Sequence, residues 1–269
     1  MKNYWIVGHP LKFCLAMPVM NGAFKELGID AHFETKDLNE EQFEEAMQML
    51  KSGELAGIMP TAPYKTPSVK AAEEINKRVK VINSTNLLIN NGNKVKAYNF
   101  DWYGALGAIE SFIEDLSGKQ VHVIGAGGAA RSAAYACQSA GAKVSIWNRT
   151  PERAKAFAEE IGIEWVEDMR TWGGHPNIII NATSISSNDS QSTLVPFQLW
   201  KDVELAMDAV YGKTSLFLEE AKAMNVAHIL SGEVWFLKQI VPMFMQITGQ
   251  EAPIKLMEQI CHEAKEIKS

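Results

Sequence analysis

The run Val121-His122-Val123-Ile124-Gly125-Ala126-Gly127-Gly128-Ala129-Ala130-Arg131 joins a short β-prone strand to three glycines and an alanine-rich segment, Ala129 to Ala140, that reads as helix. Its spacing, Gly125-x-Gly127-x-x-Ala130, suits a dinucleotide pyrophosphate. Gly125 permits a tight turn, Gly127 lets the backbone approach the phosphates, and Ala130 lets the helix pack close to the sheet. The anion would rest on the helix N-terminus, where unpaired N–H groups and the helix dipole favour negative charge. After Gly141 a second strand, Ala142 to Trp147, ends in Asn148-Arg149-Thr150, with Arg153 one helical turn later. An NAD site carries an acidic residue at that strand end, whereas cations suit a 2′-phosphate, so the cofactor reads as NADP(H). The plain alternative is a solvated arginine pair at a helix start.

Reduction of a ketone by a nicotinamide also requires a proton for the new alkoxide, from a group within hydrogen-bond reach and oriented by a second titratable group. Two residues at strand ends fit that need. Lys65 follows the turn Thr61-Ala62-Pro63-Tyr64, and Asp101 follows Asn99-Phe100. Spacing alone leaves them equally readable as solvated charges.

The elements that must position these residues alternate along the chain. Strands are expected at Tyr4 to Val7, Ala31 to Thr35 and Leu55 to Met59, with helices at Pro18 to Leu27, Glu40 to Lys51 and Pro67 to about Lys77. Phe43, Ala46, Met47 and Leu50 share one face of the second helix. Asn86 to Ile89 and Val95 to Tyr98 form a hairpin around Asn90-Asn91-Gly92-Asn93. Trp102 to Leu116 is a helix leading into the glycine-rich turn, and Pro151 to Ile161 another. Ile178 to Asn181 is a buried strand, followed by the polar loop Ala182-Thr183-Ser184 at the carboxyl edge of the sheet, beside the cofactor. Strands at Ala206 to Val210 and Ala227 to Leu230 flank a helix from Ser215 to Met224, and helices run from Val234 to near the end, with Pro253 opening the last. Such alternation implies an α/β protein with mostly parallel, helix-covered sheet.

The chain has 269 residues, 46% apolar and 22% charged, with a formal net charge of -6. These values describe a globular protein with a real core and no basic footprint for nucleic acid. The absence of a membrane-length apolar run or a signal-like N-terminus, and three scattered cysteines (Cys14, Cys137, Cys261), lead us to expect a cytoplasmic protein without disulfides. No histidines sit at metal-ligand spacing, so no metal is expected. Trp5, Trp102, Trp147 and Trp235, and Met17, Met20, Met243 and Met245, read as core or interface packing.

The ordered set Gly8-x-Pro10, Thr61-x-Pro63-x-Lys65, Asn86, Asn99-x-Asp101-x-x-Gly104, Gly125-Ala126-Gly127-Gly128-Ala129, Asn148-Arg149-Thr150, Asn181-Ala182-Thr183-Ser184, Asp208-x-Val210-Tyr211 and Gly232 to Gln239 resembles the shikimate dehydrogenase family over nearly the whole chain. The resemblance implies a substrate domain at 1–101, a Rossmann NADP domain at 102–233, and helices at 234–269 that pack back on the first domain. It implies NADPH reduction of 3-dehydroshikimate to shikimate, in the shikimate pathway of aromatic amino acid biosynthesis. Carried over by position, Lys65 and Asp101 match the catalytic pair, while Thr61, Asn86, Tyr211 and Gln239 match groups that bind substrate hydroxyls and carboxylate. Asn148, Arg149, Thr150 and Arg153 match the 2′-phosphate site. Thr183, Ser184 and Val210 fall with the cofactor, and Gly232 lies where backbone meets the nicotinamide end.

The substrate end departs from that pattern. Two serines that grip the substrate carboxylate in the family are replaced here by Cys14 and Ala16. A hydrogen bond to a charged group contributes about 1.5–3 kcal/mol, so the two losses weaken carboxylate binding by roughly two to four powers of ten unless compensated. Tyr211, Lys12 and Tyr64 are the candidates to compensate. Three readings stay open: the family reaction itself; a sibling dehydrogenase of a related alicyclic hydroxy or keto compound without the usual carboxylate contacts; and an inactive NADP(H)-binding sensor or partner protein. The expected partner is a small alicyclic molecule, not nucleic acid or membrane, with a homodimer left open.

Overall fold

Alternation of strand and helix in the sequence becomes two sheets in the computed structural model, which describes residues 1–11, 14–92, 94–183, 195–211 and 215–266. The chain divides into two compact units, one formed by Met1–Phe100 with Gln239–Ser269 and the other by Asp101–Lys238.

The first unit opens with β1 (Lys2–Gly8), α1 (Ala16–Glu26), β2 (Ala31–Asp37), α2 (Glu40–Ser52) and β3 (Gly57–Pro60). A 3-10 turn (Pro67–Ala71), β4 (Glu74–Ile75), α3 (Lys77–Ile82), β5 (Leu87–Asn90) and β6 (Val95–Tyr98) follow. The strand order is β2-β1-β3-β5-β6-β4, parallel except where β5 pairs with β3 and β6. α2 starts where the sequence dictates: Asn39 Oδ1 accepts from Gln42 N and Gln42 Oε1 accepts from Asn39 N, both at 3.0 Å. Such a reciprocal cap stabilises a helix by about 1 kcal/mol. The apolar face of α2 (Phe43, Ala46, Met47, Leu50) is fully buried, as its periodicity requires.

The single helix expected over Pro67 to Lys77 does not form. Glu73 pairs instead with Val95, its N–H donating to the Val95 carbonyl (2.9 Å) and its Oε2 accepting from Val95 N (2.5 Å). Asn76 then caps a fresh helix, α3, by accepting from Val79 N. Edge pairing with β6 thus overrides local helix propensity.

The second unit comprises α4 (Asp101–Glu110), β7 (Gln120–Ile124), α5 (Gly128–Ser139), β8 (Lys143–Trp147), α6 (Pro151–Ile161), β9 (Glu164–Trp165), β10 (Ile178–Asn181), β11 (Leu205–Asp208), α7 (Leu216–Ala223) and β12 (His228–Leu230). α8 (Gly232–Thr248) and α9 (Ile254–Glu266) complete the chain. The second sheet is parallel throughout, in the order β12-β11-β10-β7-β8-β9. Its strands are buried on both faces: Val121, Val123, Ile178, Ile180, Leu205 and Met207 join one core cluster, and Ile124, Ile179 and Ala206 the other.

Two further expectations change. α4 stops at Glu110 rather than Leu116, and an Asp115 Oδ1 to Ser117 N turn bond with positive-φ Gly118 follows it. β11 stops at Asp208 because the Asp208 side chain takes the Val210 N–H out of the ladder. The short edge strand β9 escaped the sequence reading, being two residues long. Met20 and Met243 are core residues, whereas Met245 is exposed. Among the described residues no helix is long and apolar enough to cross a membrane.

Candidate active site

In the second unit the glycine-rich turn is built as its spacing demands. Gly125 leaves β7 at φ +117, a conformation that L side chains rarely adopt, and a Cβ there would stand 3.0 Å from the Ala182 carbonyl oxygen. Gly127 is the N-cap of α5; among the described residues no side chain closes the helix end, and a Cβ on Gly127 would meet nothing within 4 Å. That open approach to unclaimed amides fits a pyrophosphate. Ala130 is fully buried in the core beneath, with Ala126 and Ala129 packed against it, so the helix lies close to the sheet.

Parallel pairing of Ile124 with Trp147 brings Gly125 and Asn148 out of the sheet at one level. Asn148 Nδ2 donates to the Thr150 carbonyl at 2.9 Å, shaping the turn, and Thr150 precedes Pro151 as the N-cap of α6. Arg149, Thr150 and Arg153 are exposed there. The donor set matches a 2′-phosphate in chemistry, and no carboxylate stands at the end of β8.

Further along the same carboxyl edge, Gly232 N donates to the Val210 carbonyl at 3.1 Å. A Cβ on Gly232 would lie 2.5 Å from that carbonyl oxygen, so only glycine fits. Thr183 is half-buried, its N–H and hydroxyl both donating to Asn181 Oδ1. Asp208 is fully buried, and burial pushes its carboxyl up from the usual range, against the hydrogen bonds from Ser215, Val210 and Asn181 that favour the anion. Nothing beyond the motif letters singled out Asn181 and Asp208 in the sequence; a polar residue ending an apolar strand was the available signal. Tyr211 is half-buried, with its ring 5.9 Å from that of Phe236.

In the first unit, Lys65 is half-buried at the end of a turn in which Thr61 N donates to the Val7 carbonyl and Tyr64 N to the Thr61 carbonyl, each at 2.7 Å. The Lys65 carbonyl accepts from Thr85 N at 2.9 Å, which ties Lys65 to the strand entry that carries Asn86. Asn86 is nearly buried; its Oδ1 accepts from Phe100 N (2.8 Å) and its Nδ2 donates to Gln239 Oε1 (3.3 Å). Residues 153 positions apart are therefore joined directly. Asp101 belongs to the second unit, where it opens α4 and its carbonyl accepts from Trp235 Nε1 at 2.9 Å.

Cys14 is half-buried and Ala16, the first residue of α1, is 2% exposed. Tyr64 drops out as a carboxylate ligand: its hydroxyl donates to the Leu38 carbonyl at 2.6 Å, and its ring stacks on Phe43 at 4.1 Å. Lys12 and Ser184 lie outside the described residues.

Residues 6–88 match the family model for the shikimate dehydrogenase substrate binding domain, and residues 108–194 match that for shikimate / quinate 5-dehydrogenase. The shikimate dehydrogenase (NADP(+)) of Pyrococcus abyssi is 31% identical over 98% of both chains, and that of Aquifex aeolicus 29% identical over 95% of this chain and 94% of its own. The crystal structure of the Aquifex aeolicus enzyme superposes with a TM-score of 0.87 at 29% identity, covering 97% of each chain. The Thermus thermophilus enzyme, solved in complex with NADP(H) and shikimate, gives 0.85 at 28% identity, covering 98% of this chain and all of its own. With a full-length relative at this identity, and both family models in chain order, the protein belongs to the shikimate dehydrogenase family.

Proposed function

We propose that this protein is an NADP-dependent dehydrogenase that interconverts 3-dehydroshikimate and shikimate. The observation that carries the reading is end-to-end similarity to a relative named shikimate dehydrogenase (NADP(+)), at 31% identity over 98% of both chains. The intact dinucleotide turn supports it.

NADPH bound on this turn supplies the hydride that converts the ring ketone to an alkoxide. Gly125, Gly127 and the first amides of α5 hold the pyrophosphate, Asn148, Arg149, Thr150 and Arg153 hold the 2′-phosphate, and Gly232 leaves room for the nicotinamide end. Lys65 gives a proton to the alkoxide oxygen in reduction and takes the hydroxyl proton in oxidation, with Asp101 orienting the exchange in both directions. Thr61, Asn86, Gln239 and Tyr211 bind the hydroxyls and carboxylate of the ring.

The test is NADP⁺ reduction, followed by NADPH absorbance, with shikimate and with quinate. Rapid reduction with shikimate is the expected result. Tight NADPH binding without turnover on either acid would overturn the substrate assignment.

Two variants probe the ends of the site separately. Arg149→Ala is expected to weaken NADPH binding by about tenfold while leaving NADH nearly unchanged, because only the phosphorylated ribose loses a charged partner. Equal losses would remove Arg149 from the 2′-phosphate site. Cys14→Ser combined with Ala16→Ser restores two hydroxyl donors, and the KM for shikimate is expected to fall about tenfold or more. An unchanged KM would show that the carboxylate is gripped elsewhere.

A further inference from the structure

Two polar residues end adjacent strands in the apolar second sheet, and sheet formation explains neither. Asn181 closes β10 and Asp208 closes β11; they are register partners, and both are fully buried. Burying a carboxylate is costly unless donors converge on it. Three do: Ser215 Oγ (2.5 Å) and Asn181 Nδ2 (3.2 Å) on Oδ2, and Val210 N (2.9 Å) on Oδ1. Asn181 Oδ1 in turn accepts from Thr183 N at 3.1 Å and Thr183 Oγ1 at 2.7 Å. The Val210 carbonyl accepts from Gly232 N, and a Cβ on Gly125 would lie 3.2 Å from Thr183 Cγ2.

One hydrogen-bonded chain therefore runs from Thr183 through Asn181 and Asp208 to Val210 and Gly232. It spans the carboxyl ends of β10 and β11 and the start of α8. None of these bonds reaches the end of β8 or α6, where Arg149 and Arg153 stand.

We propose that Asp208, acting through Asn181, is a positioning residue for the nicotinamide half of the bound dinucleotide. It holds Thr183 and the Val210 backbone in the placement that half requires, and leaves the adenosine half to the β8 end. The proposal rests on the NADP(H)-binding reading above. Asp208→Asn nearly keeps the volume but replaces one acceptor oxygen with a donor, so the bonds from Ser215, Val210 and Asn181 cannot all survive. Thr183→Val keeps the shape and removes only the hydroxyl, and is the variant to rely on if Asp208→Asn does not fold.

The experiment is calorimetric titration of the wild type and both variants with NADPH and with 2′,5′-ADP, which carries the phosphorylated adenosine half alone. NADPH affinity is expected to fall about tenfold in Asp208→Asn and several-fold in Thr183→Val, with 2′,5′-ADP changed less than about twofold in each. A general loosening of the unit would weaken both ligands alike; that result, or no change for NADPH, overturns the proposal. A wild type that binds neither ligand overturns the NADP(H) reading as well, which separates the two failures.

Discussion

Replacing Lys65 with alanine is expected to lower turnover of shikimate by about three orders of magnitude, within the range of 10²–10⁴ contributed by a positioned general acid–base. NADPH affinity should stay within about twofold, because the cofactor residues we assign lie in the second unit while Lys65 belongs to the first. The backbone around Lys65 should survive the change. Its carbonyl is held by Thr85 N, and the preceding turn by Thr61 and Tyr64 main-chain bonds, none of which involves the lysine side chain. Lost turnover with an unchanged urea unfolding midpoint therefore reports on the ammonium group rather than on folding. Lys65→Met, which keeps much of the stem without the charge, should be equally impaired. Turnover comparable to wild type in either variant would remove Lys65 from the chemistry and leave the proton to another group.

The second large effect concerns stability in acid. His122, in the middle of β7, is completely buried, shares a 2.9 Å hydrogen bond with Ser145 Oγ through Nδ1, and lies with its ring 4.6 Å from Trp172. Its Nε2 has no hydrogen-bond partner among the described residues. Burial disfavours the imidazolium and lowers the folded-state pKa from 6.5 to about 3. Between those values the unfolded chain binds a proton that the folded chain does not, so stability rises with pH across this window and is level above it. Stability present at neutral pH is then lost as the pH falls below the unfolded value, by about 2 kcal/mol at roughly pH 5 from this residue alone. Urea midpoints measured at neutral pH and near pH 5 should show the loss in wild type. His122→Phe removes the titrating group and should reduce the difference between the two midpoints. An unchanged difference would show that other groups carry the acid sensitivity.

Local chemistry explains which elements were legible in advance. The capping pair Asn39 and Gln42, the proline opening α6 at Pro151 and the apolar run Ile178 to Asn181 each carry their signal within a few residues, and the structure places them where those signals stand. The segment from Pro67 to Lys77 shows the converse. Its residues tolerate a helix, but the Glu73 backbone and carboxylate find partners on Val95, across the hairpin, and no local pattern encodes that choice. Tyr64 is similar: its hydroxyl looked available for an anion until Leu38, 26 positions away, proved to be its acceptor.

For the candidate site, glycine spacing and residue type pointed to a dinucleotide turn and to NADP(H) rather than NAD, the cofactor that the similar dehydrogenases carry in their names. The glycine spacing and the absence of an acid after β8 are properties of the chain letters themselves, whereas the close approach of Ala182 to Gly125 arises only from the pairing of β7 with β10. The long-range bonds belong to the tertiary structure alone. Asn86 meeting Gln239, and Asp208 gathering Ser215, Val210 and Asn181, depend on which strands become neighbours and in which register. Parallel pairing sets Asn181 beside Asp208 because their strands end at one level, a relation between segments 27 residues apart that only the folded sheet can impose.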